Sequence, residues 1–242
     1  MRVLITRPRG DAEALAAQIH ALGHTTLIEP LIDIVFADGP ALDLTGAQAL
    51  LFTSANGARA AARRTTDRTI RILAVGRATG AEARVLGFTR VSESTGEGVE
   101  TFAQTVREQL NPAQGTLLHI TGTATAGDLK GALIPAGFTV RTDQLYDARA
   151  TDALSSPFTA ELTAGRIDAA TFFSPRTAER FVTLIRAAGL APPCENVTAL
   201  ALSDAVANAL APLRFRKILA AAHPNAAALL DLLKQVPPDA AL

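Results

Sequence analysis

The segment Ala49–Gly57, A-L-L-F-T-S-A-N-G, passes from a short apolar run through a polar turn into an Ala-rich amphipathic stretch. The same pattern occurs at five other places, which begin at Val3, Ile72, Leu117, Ala170 and Ala199. Each is typical of a buried parallel strand whose carboxyl end leads into the amino end of a helix. At this edge of an α/β sheet, backbone N–H groups and the helix dipole bind anions. Two sets of three such edges predict a cleft for a large ligand with several negative charges.

The composition limits the classes of protein to which the chain can belong. Its 242 residues, 48% of them hydrophobic, are enough for two domains of roughly 120 residues each with substantial cores. Because 23 Lys and Arg balance 23 Asp and Glu, no overall basic field attracts nucleic acid or an acidic membrane surface. No apolar run reaches the roughly 20 residues of a membrane span. The single cysteine, Cys194, cannot form an internal disulfide. We expect a soluble cytoplasmic protein without a nucleic-acid or membrane partner.

The two halves of the chain repeat each other in three blocks. The offset between the halves is 114, then 121, then 127 residues, since the blocks pair Leu4 with Leu118, Phe52 with Phe173, and Ala74 with Ala201. Strands that alternate with helices of this length predict parallel sheets covered on both faces. The expected fold is therefore α/β, with two flavodoxin-like parallel-sheet domains from a duplicated unit.

Two extended segments complicate a simple tandem arrangement. Residues 25–36 and 138–149 are each about 12 residues long, whereas strands usually have about 5 to 6. They occupy matching positions in the repeat, so they are predicted to pair as a two-stranded linker. The first domain would then be discontinuous, with residues 1–35 and 149–242, and the second would consist of residues 36–148.

Most familiar catalytic motifs are missing from the sequence. The loop from Gly122 has the glycine spacing of a phosphate loop, but Asp128 and Leu129 replace the Lys and the Ser or Thr that hold a nucleotide and magnesium. The four histidines share no metal-ligand spacing. His119 falls opposite Ile5 in the repeat, and a hydrogen-bonded core residue is favoured over a catalytic base. We expect neither a metal nor a cofactor.

The remaining candidates are polar residues at the strand-to-helix junctions. A serine, threonine or asparagine there either caps its own helix or binds a substrate carboxylate, and the two roles are compatible. An arginine at the same edge either binds a carboxylate through two hydrogen bonds or is solvated. The candidate substrate-binding residues are Arg7, Thr53, Ser54, Asn56, Gly57, Thr79, Ser174, Arg176 and Ser203.

Taken in order, these motifs resemble those of the uroporphyrinogen-III synthase family along essentially the whole chain. The motifs are T-R-P-R from Thr6, F-T-S-A-N-G-A from Phe52, A-V-G-R-A-T from Ala74, L-Y at Leu145–Tyr146, F-F-S-P-R-T-A from Phe172 and A-L-S-D-A-V-A from Ala201. The resemblance implies a bilobed, discontinuous fold with a two-stranded linker. It also implies a cytoplasmic, cofactor-free lyase that cyclises hydroxymethylbilane, a linear tetrapyrrole with eight carboxylates, after a transient handover from hydroxymethylbilane synthase.

The resemblance also assigns a role to the only tyrosine. Tyr146 matches a linker tyrosine of the family and is the candidate donor of a proton, or of a hydrogen bond, to the departing hydroxyl, although a packing role is equally compatible with the sequence. The sequence departs from the family at the last junction, where Gly-Pro-x-Thr is replaced by Ser203, Asp204, Ala205 and Val206. Ser203 is the remaining hydroxyl candidate there.

Two other functions fit a bilobed α/β protein. One is a small-molecule binding or sensor protein without catalysis, although no secretion signal or added effector segment accompanies the two halves. The other is an enzyme that transfers a group from a nucleotide donor, which the missing phosphate-binding motifs disfavour.

Overall fold

A computed structural model of the chain describes residues 1–96, 98–124 and 127–236. Thr125 and Ala126, which belong to the loop from Gly122 considered above, lie outside the described residues, as does Glu97. The chain forms two compact units, residues 1–33 with 149–242 and residues 34–148. Within the described ranges, no helix is long and apolar enough to cross a membrane.

Strands and helices alternate along the described residues. The strands are β1 (Arg2–Ile5), β2 (Thr25–Ile28), β3 (Ile32–Phe36), β4 (Ala47–Phe52), β5 (Ile72–Ala74), β6 (Val91–Glu93), β7 (Thr116–Gly122), β8 (Val140–Ala150), β9 (Ala169–Phe172), β10 (Thr198–Ala201) and β11 (Lys217–Ala220). The α-helices are α1 (Arg9–Ala21), α2 (Ala55–Arg64), α3 (Gly76–Val85), α4 (Val99–Gln109), α5 (Leu129–Leu133), α6 (Ser156–Thr163), α7 (Pro175–Ala187), α8 (Asp204–Leu210) and α9 (Ala226–Asp231).

The first unit contains a parallel sheet with the strand order β11-β10-β9-β1-β2. The strands β9 and β10 are buried throughout and mostly apolar, which is typical of a parallel sheet covered on both faces. Phe158, Phe172 and Phe181 pack together on one face, and Ile5 and Ile19 belong to the core of the other face. The sheet is therefore held between two apolar layers.

The second unit contains a six-stranded sheet with the order β3-β8-β7-β4-β5-β6. The five strands from β8 to β6 pair in parallel. Consequently β7, β4, β5 and β6 all end at the same edge of the sheet. Leu51, Phe102 and Leu117 belong to one core cluster, whereas Phe52 and Ile120 belong to the cluster on the opposite face.

The first extended segment differs from the prediction because it is two strands. Residues 25–28 form β2 beside β1 in the first sheet, and the chain then passes through Pro30 to β3, which lies next to β8. Proline lacks a backbone N–H and interrupts a strand ladder. The backbone N–H of Ala37 donates to the Leu145 carbonyl over 2.8 Å. The two-stranded linker and the domain boundaries built on it stay predictions.

The structure shifts the second block of the internal repeat by one residue. β4 ends at Phe52 and β9 ends at Phe172, and both phenylalanines are fully buried. Two residues later, Ser54 caps α2 and Ser174 caps α7. Phe52 therefore corresponds to Phe172 rather than to Phe173. Strand burial and helix capping define equivalent positions more strictly than the match of residue types between the two halves.

Candidate functional site

A cavity of about 690 Å³ opens at the carboxyl edge of the second sheet. Its wall is formed by residues of the second unit. Three helices begin there, because the turns after β4, β5 and β6 lead into α2, α3 and α4. Thr121 of β7 and Tyr146 of β8 complete the polar part of the wall. Helix amino termini at one cavity provide backbone N–H groups and the positive end of the helix dipole.

Tyr146 and Ser54 form a hydroxyl pair on the cavity wall. The Ser54 Oγ atom accepts a hydrogen bond from the Gly57 backbone N–H over 3.2 Å and so caps α2. The same Oγ atom lies 2.8 Å from the Tyr146 hydroxyl oxygen, and either hydroxyl can donate. The Tyr146 hydroxyl is therefore hydrogen-bonded to the residue that caps the amino end of α2.

The backbone of β7 makes room for the Tyr146 ring. Gly122 pairs with Tyr146 across a register shift between β7 and β8. A Cβ atom at Gly122 would lie 2.7 Å from a ring carbon of Tyr146, which is closer than real Cβ atoms approach. The Phe36 ring packs near Tyr146 with its centroid 6.5 Å away. These contacts fix the ring at the wall.

A second pair joins Thr53 to His119. The Oγ1 atom of Thr53 lies 3.2 Å from Nε2 of His119, and Thr53 lines the cavity. The imidazole is only 6% exposed, and this burial lowers the pKa of His119 below its usual value, so that the neutral form is favoured. His119 is thus the buried, hydrogen-bonded residue that the sequence predicts.

The first turns of α3 and α4 lack side-chain caps. Val75 and Gly98 precede these helices, and neither provides a side-chain acceptor for the first N–H groups. The Gly76 N–H is used, since it donates to Ser94 Oγ over 3.1 Å. Thr79, at 6% exposure, lines the cavity, and its hydroxyl has no hydrogen-bond partner among the described residues. Uncapped helix starts of this kind are satisfied by water or by an anionic ligand.

Charged side chains of both signs flank these helix starts. Arg77 in the first turn of α3 is exposed and lines the cavity, and within the described part of the chain it forms no ion pair. Glu100 in the first turn of α4 also lines the cavity. Arg77 is suited to bind a carboxylate, whereas Glu100 would repel one.

The structure places three of the predicted substrate-binding residues of this unit on the wall, namely Thr53, Ser54 and Thr79, together with the candidate proton donor Tyr146. Asn56 and Gly57 are not on it. The Asn56 side-chain oxygen accepts a hydrogen bond from Arg59 over 3.0 Å, and the Gly57 N–H is used in the helix cap. Both belong to the helix itself.

The other four predicted residues belong to the first unit. Arg7 forms an ion pair with Asp11 over 2.8 Å and lies 4.3 Å from the Phe173 ring centroid. Ser174 caps α7, whereas Ser203 precedes α8 without accepting a capping bond. Arg176 is exposed in the first turn of α7. All four lie at the carboxyl edge of their own sheet, and their contacts with a substrate stay predictions.

Sequence reasoning missed Arg77 and the partners of the wall hydroxyls. Arg77 directly follows a glycine at a strand-to-helix turn, and this position in the sequence predicts a cation at the start of a helix. The contacts of Ser54 with Tyr146 and of Thr53 with His119 join residues 92 and 66 positions apart. Only the register of β7 with β4 and β8 brings them together, and a single sequence does not show that register.

Comparison with known proteins identifies the family. The family model described as "Uroporphyrinogen-III synthase HemD" matches residues 13–231, which include parts of both units. The chain belongs to the uroporphyrinogen-III synthase family. The family and the fold class predicted from the sequence are therefore confirmed. Comparison with curated proteins gives no significant match.

A solved structure of this family shares the fold of the chain at low sequence identity. Uroporphyrinogen-III synthetase from Helicobacter pylori is similar with a TM-score of 0.63 and 17% identity, over 98% of this chain and 100% of that chain. A mutant uroporphyrinogen III synthase from Thermus thermophilus gives a TM-score of 0.49 and 18% identity, over 98% of both chains. The first likeness supports the α/β fold, and the second is too weak to add to it.

Proposed function

We propose that this chain cyclises hydroxymethylbilane to uroporphyrinogen III, with loss of water and inversion of ring D. Membership of the uroporphyrinogen-III synthase family supports the reaction. The structural observation that carries the proposal is the Tyr146 hydroxyl, held by Ser54 at a cavity where three helices begin. This arrangement combines a proton donor with binding groups for anions.

The substrate's carboxylates match the binding groups of the cavity. Backbone N–H groups at the starts of α3 and α4 lie at the wall together with the Arg77 guanidinium. Each carboxylate that they hold restrains one pyrrole ring of a flexible chain. Folding the linear tetrapyrrole so that ring D meets ring A is largely a matter of positioning, which converts a loose encounter into an intramolecular step.

Tyr146 provides the acid for the first step. The Ser54 oxygen already accepts the Gly57 N–H, so its own proton is available for the Tyr146 oxygen. In that arrangement the phenolic proton points away from Ser54, toward the departing hydroxyl of ring A. The positive end of the α2 dipole stabilises the negative charge that grows on the phenol oxygen as it gives up this proton.

The proton balance closes over the cycle. The phenol donates its proton to the ring A hydroxyl, which leaves as water and gives a cationic azafulvenium electrophile. Ring D attacks through its substituted carbon, and the spiro intermediate then breaks and closes again with ring D inverted. The last pyrrole carbon loses a proton as the ring regains aromaticity, and that proton restores the phenol.

The same proposal includes a cytoplasmic location of the protein and a transient handover of the substrate from hydroxymethylbilane synthase. The open-chain substrate also cyclises without an enzyme, and that closure does not invert ring D. A short transfer from the enzyme that makes it therefore favours the correct isomer.

The test is incubation of the protein with freshly generated hydroxymethylbilane, followed by oxidation and separation of the uroporphyrin isomers. We expect isomer III to predominate with the protein, and isomer I in buffer alone. Tight binding of the substrate with no increase in isomer III would instead indicate a binding protein without catalysis and would contradict the proposal.

A further inference from the structure

The hydrogen bond between His119 and Thr53 places an imidazole directly behind the cavity. His119 lies on β7 opposite Leu51 of β4. Thr53 is the first residue after β4, which ends at Phe52. Thr53 is on the wall of the cavity, whereas His119 is 6% exposed and is not on the wall. His119 can therefore act on a ligand only through Thr53.

The fold itself does not require this polar pair. In the corrected repeat, His119 corresponds to Ile5 and Thr53 corresponds to Phe173 of the first unit. Ile5 is fully buried, and Phe173 packs in the same apolar cluster. The duplicated unit thus fills the same two positions with apolar side chains, and the second unit uses a hydrogen bond.

The contact with Thr53 indicates which ring nitrogen of His119 carries the proton. Within the described residues, Nε2 is the ring nitrogen that has a partner. A neutral imidazole has a single N–H, and that N–H is hydrogen-bonded only when the proton is on the nitrogen with the partner. The favoured tautomer therefore carries its proton on Nε2 and donates it to Thr53 Oγ1. The Thr53 hydroxyl then accepts from His119 and has its own proton free for the cavity.

We propose that His119 is a positioning residue that makes Thr53 a hydrogen-bond donor toward a carboxylate of the bound ligand. This inference rests on the proposed function, because it assigns one of the substrate's carboxylates to the Thr53 hydroxyl. A carboxylate only accepts hydrogen bonds, so a hydroxyl whose direction is fixed as a donor binds it better than one that is free to turn.

The tautomer is measured without any turnover. Long-range ¹⁵N–¹H spectra of protein labelled at histidine distinguish a proton on Nε2 from one on Nδ1, and His119→Gln assigns the signal among the four histidines. We expect the Nε2–H form, with a ring ¹⁵N shift that moves in Thr53→Val. A proton on Nδ1 would overturn the proposal, because Thr53 would then donate to the ring and present only lone pairs to the ligand.

Steady-state kinetics of four variants test the effect on the ligand. We expect Thr53→Val to raise KM about tenfold, the size of one hydrogen bond to a charged group, with kcat within about twofold of wild type. His119→Ile should raise KM by a smaller factor, because the Thr53 hydroxyl is still present but no longer directed. The double variant should equal Thr53→Val, because without the hydroxyl His119 has no group to direct. His119→Gln, whose side-chain N–H can reach Thr53, should stay within about threefold of wild-type KM.

Thr198→Val is the control for a threonine-to-valine change away from the cavity. Thr198 is buried in β10 of the first unit, and its hydroxyl has no partner in the described part of the chain. The Thr198→Val substitution should leave KM and kcat unchanged. An unchanged KM in His119→Ile, or additive losses in the double variant, would overturn the positioning role. Absence of turnover by the wild-type protein would contradict the proposed function instead, and the tautomer would still decide the arrangement of the pair.

Discussion

At the scale of single residues, Ser54 has two roles, and its position in the sequence predicts only the helix cap. Its Oγ atom caps α2 through the Gly57 N–H and contacts the Tyr146 hydroxyl. The first role concerns stability, and the second concerns the direction of the phenolic proton. Capping residues elsewhere in the chain can perform the first alone, so a comparison of caps can separate the two effects.

Ser54→Ala should therefore lower both stability and turnover. Loss of the cap should reduce the free energy of unfolding by about 1 kcal/mol. Loss of the contact with Tyr146 should in addition lower kcat by about tenfold, since a wrongly directed phenol donates poorly. Denaturant titration and steady-state kinetics measure the two effects.

Asn225→Ala is the control for the cap alone, because Asn225 caps α9 through the Ala228 N–H over 2.9 Å. It should show a similar loss of stability with unchanged kcat. A kcat for Ser54→Ala equal to that of this control would contradict the second role of Ser54.

His119 should make the stability of the protein depend on pH. Burial lowers the pKa of His119 in the folded state below the usual value of 6.5. Between these two values the unfolded chain binds more protons than the folded protein, so the free energy of unfolding rises with pH. The contribution is complete above about 6.5 and is lost as the pH falls through 6.5 toward the folded pKa.

Chemical denaturation of wild type and His119→Gln at several pH values measures this dependence. Glutamine does not titrate, so the variant should lose less stability than wild type on acidification. Parallel curves for the two proteins would show that His119 is not the titrating group.

At the scale of elements, the register of β7 with β8 decides whether the cavity has a usable phenol. The register shifts between Thr121 and Gly122, and Gly122 then lies beside Tyr146. Because the ring occupies the space of the missing Cβ, the glycine is part of the site although it has no side chain.

Gly122→Ala should displace the Tyr146 ring and lower kcat. The added methyl group meets the ring at 2.7 Å, and such overpacking costs about 1 to 3 kcal/mol of stability. Combined with Tyr146→Phe, it should cause no further loss of kcat, since the hydroxyl is already absent. An additional drop in kcat in the double variant would mean that Gly122 acts on catalysis by another route.

The strand-to-helix junctions were predictable from sequence because they depend on local patterns. Apolar runs that end in Ser, Thr or Asn mark buried strands and helix caps, and Ser54 and Ser174 are caps in the structure. The contacts across strands were not predictable in this way. A register shift, or the break at Pro30, changes which residues meet without changing the local pattern. The pairing of Ser54 with Tyr146 is therefore a finding of the structure.

At the scale of the whole molecule, the second unit is one continuous stretch of chain, whereas the first needs two. Residues 34–148 contain a sheet with an apolar cluster on each face. The cavity, the Ser54–Tyr146 pair and the Thr53–His119 pair lie within this stretch. The unit has the core that independent folding requires.

A fragment of residues 34–148 should fold on its own. We expect a cooperative thermal transition by circular dichroism and dispersed amide signals by NMR, with the His119 tautomer of the full chain. A fragment of residues 149–242 is the comparison, because it lacks β1 and β2 of the sheet of the first unit and should not fold cooperatively. A molten 34–148 fragment would contradict the independence of this unit.

The most direct test of the whole account is the isomer ratio produced by Tyr146→Phe beside wild type. Phenylalanine keeps the ring that packs beside Gly122 and removes only the hydroxyl. If Tyr146 gives the proton that expels the ring A hydroxyl, kcat should fall by about 10², and the share of isomer I should rise as uncatalysed closure takes over. Affinity for uroporphyrinogen III should stay near the wild-type value. An unchanged kcat with an unchanged isomer ratio would contradict the account.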